Sequence, residues 1–248
     1  FEALARRSAE ARAAGVMVLP GAGFDVAPSD CLAAHLKRRL PTADRLALGI
    51  RGLGSGISRG TLTTGAESLG GATWVRRDGR LVELPPGSLT RDINFGRGME
   101  TCAGIGWGDV ATAYYSTGIP NVEVYFAVPS AMRWGMRAMG YFSPLLRSRP
   151  AQAALKAAIQ RQPPGPNDQQ RARGRSLLWG EVTDPAGQRR VSRLNTPEGY
   201  TLTVLASLAM VEKALAGQAT PGFQTPSLAY GPDLVMELPG VTREDVAS

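Results

Sequence analysis

The sequence has a single histidine, His35, and only two cysteines, Cys31 and Cys102, neither of them in a C-x-x-C pair. That scarcity excludes a disulfide scaffold and the usual Cys/His zinc site, and it suits a reducing, cytoplasmic setting. No metal site is expected. No apolar run approaches the roughly 18 residues that would span a bilayer. No Ser-His-Asp arrangement can be read, so hydrolase chemistry finds no support. The opening residues lack the apolar core of a signal peptide and carry two acids, Glu2 and Glu10. No internal repeat is visible.

What is present is an ordinary globular composition. Of 248 residues, 43% are hydrophobic and 20% charged, enough for one large domain or two small ones. The formal charge is +7, but the basic residues are scattered: Arg6–Arg7, Lys37–Arg39, Arg76–Arg77, Arg171–Arg175 and Arg189–Arg190. Aromatic residues do not interleave with them as a single-strand binder would require, so no nucleic-acid partner is expected.

"FEALARRSAEARAAG" places Phe1, Leu4, Ala5, Ala9 and Ala13 near one helical face, ended by Gly15. It reads as a packed helix without its preceding strand, as expected for the C-terminal part of a longer protein. Strand 16–19, the turn "PGAGFD" and a helix from Cys31 to Leu40, capped by Ser29 or Asp30, follow. This order suits the last piece of a doubly wound α/β domain.

"DRLALGIRGLG" alternates as a strand, and Ser58 is placed to cap a short helix ended by Gly70-Gly71. "ATWVRRDGRLVELP" reads as a hairpin turning at Asp78-Gly79, and "IPNVEVYFAVP" as a buried strand. "GRSLLWGEVTDPAGQRRVSRL" is a second hairpin turning at Asp184–Gly187. The stretch from Ser130 to Gln162 is mostly helical, broken near Ser143-Pro144 and Pro150, and Pro163–Gly174 reads as a mobile, Pro-rich segment. "TPEGYTLTVLASLAMVEKALAG" is predicted as a helix with Thr196 as N-cap, Pro197 in the first turn and Gly217 as C-cap.

A dinucleotide fingerprint needs G-x-G-x-x-G, but Gly21-Ala22-Gly23-Phe24-Asp25 is followed by Val26. Phe24 is bulky and Asp25 repels phosphate, while the predicted helix starts late, after Ala27-Pro28. Two readings stay open: a structural turn, or a loop lining a cofactor or substrate cleft at the carboxyl end of a strand.

Taken together, "LPGAGFDVAPSDCLAAHL", "SRGTLTTGAESLGGATWVRRDGRL" and the segment from "GEVTDPAGQRR" through "LVMELPGV" resemble the saccharopine dehydrogenase-like oxidoreductases. The resemblance is to the branch with mycobacterial trans-acting enoyl reductases and the vertebrate saccharopine dehydrogenase-like oxidoreductase. It covers nearly the whole chain and is weakest from Ala131 to Gln170. It implies an α/β fold: the end of a Rossmann-like domain, then a mixed-sheet substrate and dimerisation domain with α+β character. The implied boundaries are 1–41, 42–195, and 196–248 for a C-terminal helix and tail packing back on the nucleotide domain. It further implies an NADP- or NAD-dependent enzyme passing hydride to a C=C or C=N bond of a small-molecule or acyl substrate, and a homodimer. Family members open with a G-x-x-G-x-x-G turn that does not open this sequence.

The candidate site residues follow. Gly21, Gly23, Phe24 and Asp25 are assigned to the cofactor; Asp25 would order a ribose or a nicotinamide amide, or else bond its own turn. Arg59, with Thr61, offers a guanidinium and helix-start amides as an anion cradle for a substrate carboxylate, a thioester phosphate or the cofactor 2′-phosphate, and is assigned to the substrate; otherwise it faces solvent beside an ordinary cap. Glu67 stands either as an acid/base or in a surface ion pair with Arg59. His35 and Tyr200 are the candidate proton donors, each otherwise a packing residue. Cys31 and Cys102 are expected to be inert. The alternative function is a non-catalytic interaction or dimerisation module. "MRWGMRAMGYFSPLL" has an aromatic, methionine-rich face suited to peripheral membrane contact, although a core or dimer helix is preferred.

Overall fold

The computed structural model describes residues 1–54, 56–67, 72–130, 135 and 148–247. The methionine-rich stretch, Gly135 aside, and the predicted Gly70-Gly71 helix end lie outside them.

The fold is α/β, built on a mixed nine-stranded sheet. Its centre is β2 (Arg45–Leu53), flanked by β7 (Asn121–Ala127) in parallel and by β8 (Arg175–Thr183) antiparallel. Outward from β8 lie β9 (Arg189–Pro197) and β11 (Thr242–Val246). Beyond β7, two hairpins share its free edge: β3 (Thr73–Arg77) with β4 (Arg80–Leu84), and β5 (Thr90–Asn94) with β6 (Met99–Gly104). The remaining strands, β1 (Met17–Val18) and β10 (Gly222–Phe223), form a separate parallel pair.

Both predicted hairpins are present. Asp78 and Gly79 adopt φ of 47° and 77°, the left-handed pair that a tight two-residue turn needs. At the other turn Asp184 accepts the Gln188 amide through its side chain at 2.8 Å.

The main core lies on one sheet face. Helix α3 (Ala27–Arg39) contributes Cys31, Leu32 and Leu36, and packs beside α5 (Asp109–Thr117). Helix α8 (Gly199–Leu215) adds Leu202, Ala206 and Met210. The other face is covered by the β5–β6 hairpin, whose Ile93 and Phe95 join Trp179, Tyr125 and Val191. Gly49 in the central strand allows this: a Cβ there would come to 2.7 Å from Ile93 Cδ1.

Several boundaries differ from the sequence expectation. The opening helix is two helices, α1 (Glu2–Arg6) and α2 (Ser8–Ala13), because the chain turns at Arg7. There the Ser8 hydroxyl accepts the Phe223 amide at 2.9 Å, tying α2 to β10. The segment expected to be mobile contains α7 (Asp168–Arg173), started by a capping box between Asn167 and Gln170. Pro150 lies in the first turn of α6 (Arg149–Gln160), where proline is tolerated. Further helices among the described residues are α4 (Arg59–Glu67), the short α9 (Pro226–Tyr230) and a 3-10 turn, Leu234–Glu237.

Candidate functional site

The glycine turn lies between β1 and α3, and its local structure corrects the helix start. Helix α3 begins at Ala27 with Pro28 in its first turn, so the turn runs directly into the helix. Ser29 and Asp30 therefore do not cap it. The Ser29 hydroxyl donates to the Val26 carbonyl at 3.0 Å. Asp30 is fully buried and accepts the Ser227 amide at 2.8 Å and the Ser116 hydroxyl.

The close approaches at this turn are made to the chain's own side chains. A Cβ on Gly23 would meet Thr203 Cγ2 at 2.9 Å, and one on Gly21 would meet Val26 Cβ at 3.1 Å. The Phe24 amide donates to Thr203 Oγ1 at 3.0 Å, while the Phe24 ring lies against Gly199 at the start of α8. A pyrophosphate does not fit here: the space beside the glycines is filled, the Phe24 amide is engaged, and Asp25 adds negative charge. A carboxylate at the rim of the turn has, however, the chemistry to accept a ribose hydroxyl or a carboxamide N–H.

Asp25 is solvent-exposed as a residue, yet its carboxylate faces the start of α5, with Oδ1 2.8 Å from the point where a Gly108 Cβ would lie. Desolvation on that side raises its pKa to about 6, opposed by the Gly108 amide. Next along the chain, Asp109 is fully buried, and neither of its oxygens has a hydrogen-bond partner among the described residues. Burial, followed by the charges of Asp25 and Asp30, pushes its pKa well above the ordinary carboxylate value. The indole Nε1 of Trp107 is likewise sealed and has no hydrogen-bond partner among the described residues.

Tyr200 and Thr61 come together beside this junction. The phenol oxygen accepts the Ser58 amide at 2.7 Å and lies 3.0 Å from Thr61 Oγ1. Tyr200 stands in the first turn of α8, which Glu198 caps by accepting the Tyr200 and Thr201 amides at 3.0 and 3.1 Å. The Thr196 cap expected from sequence is thus displaced, because β9 keeps its pairing with β8 through Pro197. The Thr196 hydroxyl instead donates to the Pro197 carbonyl at 2.8 Å, with the Ser176 carbonyl at 3.3 Å.

The amides of the expected anion cradle are largely taken. Ser58 N goes to Tyr200, Arg59 N to the Pro164 carbonyl, and Thr61 N to Ser58 Oγ. The Arg59 guanidinium turns toward Gln160, 3.3 Å from its carbonyl oxygen. The Glu67 side chain lies outside the described residues.

His35 does not reach the junction. It lies more than two turns into α3, buried, with Nε2 2.8 Å from Asp245 Oδ1 and Nδ1 3.2 Å from Arg38. Cys31 and Cys102 are both buried, and burial drives the Cys31 thiol well above its ordinary pKa. Among the described residues no group of His, Cys, Asp and Glu could hold a metal ion, and no helix is long and apolar enough to cross a membrane. A cavity of about 200 Å³ opens on the opposite sheet face, between Arg45, Arg77 and Arg91. Its glutamates are already engaged, Glu123 with Arg77 and Tyr125, Glu181 with Arg91 and Arg189.

No protein-family model matches the chain, and no curated protein matches it in sequence. A solved structure does match: an apo, histidine-tagged saccharopine dehydrogenase (L-Glu forming) from Saccharomyces cerevisiae, with a TM-score of 0.60 and 12% identity. The match covers 100% of this chain and 78% of the yeast chain. The chain has a saccharopine dehydrogenase-like fold. At that identity the likeness is one of fold alone.

Within this fold Gly23 and Phe24 are brought to Thr203 and Gly199 at the start of α8, Tyr200 of the same helix meets Thr61, and His35 stands apart with Asp245. Sequence reasoning missed Asp109, Thr203, Ser58 as a partner of Tyr200, and Glu198 as a cap. Glu198 carried a signal, an acid just ahead of a long helical run. Asp109 carried none, since burial of an acid after "GWG" follows only from tertiary packing.

Proposed function

We propose that the protein is a saccharopine dehydrogenase-like oxidoreductase that reduces a C=C or C=N bond, and that Asp25 manages the proton in its cleft. The single observation that carries this reading is a fold likeness to a dehydrogenase over the full length of the chain. NADPH or NADH supplies the hydride in this reading. Enoyl reduction of an acyl substrate is its finer form, with a cytoplasmic homodimer as its setting.

The chain's own residues do three things. Asp25 exchanges a proton near neutral pH, because desolvation holds its pKa at about 6, and it remains reachable from solvent. Phe24 and Gly199 close the apolar side of the junction. Tyr200, through Ser58 and Thr61, holds the start of α4 against α8. No step is routed through the glycine turn to a phosphate.

The test follows NADH and NADPH oxidation with an α,β-unsaturated acyl thioester and, separately, with an amine plus a keto acid. Turnover is expected with one class, and Asp25→Asn is expected to lower it roughly 100-fold, the usual scale for a lost acid–base group. No oxidation of either nucleotide with either class, together with no calorimetric binding, would overturn the reading.

A second reading, a non-catalytic interaction module, is favoured by one observation. Val204, Leu208, Val211 and Leu215 form an exposed apolar stripe along α8.

A further inference from the structure

Three acids meet where α3 and α5 begin, and their hydrogen bonds are shared unequally. Asp30, on α3, has the Ser227 amide and the Ser116 hydroxyl. Asp25, on the glycine turn, has the Gly108 amide and access to water. Asp109, on α5, is sealed from solvent and has no partner for either oxygen among the described residues. The Ser29 hydroxyl and the residue's own amide act on its carboxyl to lower its pKa, but burial outweighs them, and that hydroxyl donates to the Val26 carbonyl at 3.0 Å. The charged groups that act on Asp109 from the packed elements, Asp25 from the turn and Asp30 from α3, are both acidic.

A carboxylate in such a position has lost its hydration and, among the described residues, has no cation acting on it in return, which makes its charged form costly. The neutral acid avoids that cost. Of the three acids, Asp109 is therefore the one that keeps a proton.

We propose that Asp109 is a positioning residue that stays protonated at neutral pH, leaving Asp25 as the acid of this cluster whose charge changes during turnover. The proposal rests on the reading of Asp25 given above. Its chemical sense is direct. An ionised Asp109 beside Asp25 would hold a proton on Asp25 and suppress its base form, whereas a neutral Asp109 lets Asp25 titrate as desolvation alone dictates. No bond is made or broken at Asp109, and its proton stays where it is.

The test uses the free protein, without substrate or nucleotide, so it stands apart from any assay of turnover. Infrared spectra at neutral pH should contain a protonated-carboxyl stretching band that is lost in Asp109→Asn. In the same variant, the titration midpoint of Asp25, followed by carbon NMR of labelled aspartate carboxyls, should match that of the wild type. Two results would overturn the proposal: no band assignable to Asp109 at neutral pH, or a fall of the Asp25 midpoint in the variant. That fall would mean that a charge on Asp109 had been raising it. Should Asp109→Asn fail to fold, the wild-type carboxyl resonance of Asp109 decides: an acid-form shift through neutral pH supports the proposal, and a carboxylate shift overturns it. If turnover is never found, the Asp25 reading fails while the protonation of Asp109 can still be confirmed.

Discussion

Gly23 and Thr203 are in contact across 180 positions of chain, so close that a methyl on the glycine would come to 2.9 Å from the threonine Cγ2. The same threonine accepts the Phe24 amide and donates to the Gly199 carbonyl, at 3.0 and 2.9 Å. The glycine turn is thereby fastened to the first turn of α8.

Gly23→Ala is expected to destabilise the fold by about 1–3 kcal/mol, the usual cost of overpacking, because a β-branched side chain on a helix has few rotamers to retreat to. Thr203→Ser removes Cγ2 and keeps the hydroxyl. The double variant should therefore recover much of the loss in thermal unfolding, and an additive outcome would count against the contact.

Tyr200→Phe removes the acceptor of the Ser58 amide and the partner of Thr61. A loss of about 1 kcal/mol is expected, typical of one hydrogen bond. Hydrogen exchange should rise at residues 58–62 and stay unchanged in the middle of α8. Uniform deprotection of α8 would show that the phenol supports the helix and not the loop.

The His35–Asp245 pair sets an acid limit on stability. Burial lowers the His35 pKa, against the raising effect of the Asp245 hydrogen bond, so the fold prefers the neutral ring. That contribution is full above the unfolded histidine value and is lost as pH falls below it. For Asp245, burial raises the pKa but hydrogen bonds from Ser192 and His35 outweigh it, leaving the pKa lowered. Its contribution is present above the unfolded aspartate value and is lost at more acid pH. Asp25 and Asp109, with raised pKa values, favour the fold as pH falls, so against that opposite trend the His35 contribution should decline first, below about pH 6.5, and the Asp245 contribution at more acid pH. His35→Gln should flatten that first decline and leave the second.

If Asp25 donates the proton, turnover should decline above about pH 6, where its carboxyl ionises. The expected slope is about tenfold per pH unit once the acid form is scarce. Asp25→Asn should abolish this dependence along with most of the rate. A profile that rises through the same range would make Asp25 a base.

Much of the fold was legible from turn chemistry and periodicity. Asp78-Gly79 and Asp184–Gly187 announced their hairpins, and the apolar strands β2 and β7 stood out from their surroundings. The errors cluster at prolines. Pro28 was expected before its helix and lies inside it, whereas Pro197 was expected inside a helix and ends a strand. Proline suits a helical first turn and a strand end alike, so only the partner strand β8 decides. The β5–β6 hairpin and α5 have no counterpart in the sequence reading, since "TRDINFGRGMETCAG" alternates poorly and α5 has no side-chain cap. At the candidate site Asp25 was visible as an acid after two glycines. Asp109 was not, because only packing seals it.

The central strand carries a kinetic consequence. Arg45 lies opposite Asn121 on one side and Thr183 on the other, so β2 has no neighbour near it in sequence. The local hairpins β3–β4, β5–β6 and β8–β9 can close early, whereas β2 must wait for two long loops to close. Until then Leu46, Leu48 and Ile50 stay uncovered on an unpaired strand. Refolding yield should therefore fall with protein concentration, with β2 as the strand that seeds association between chains.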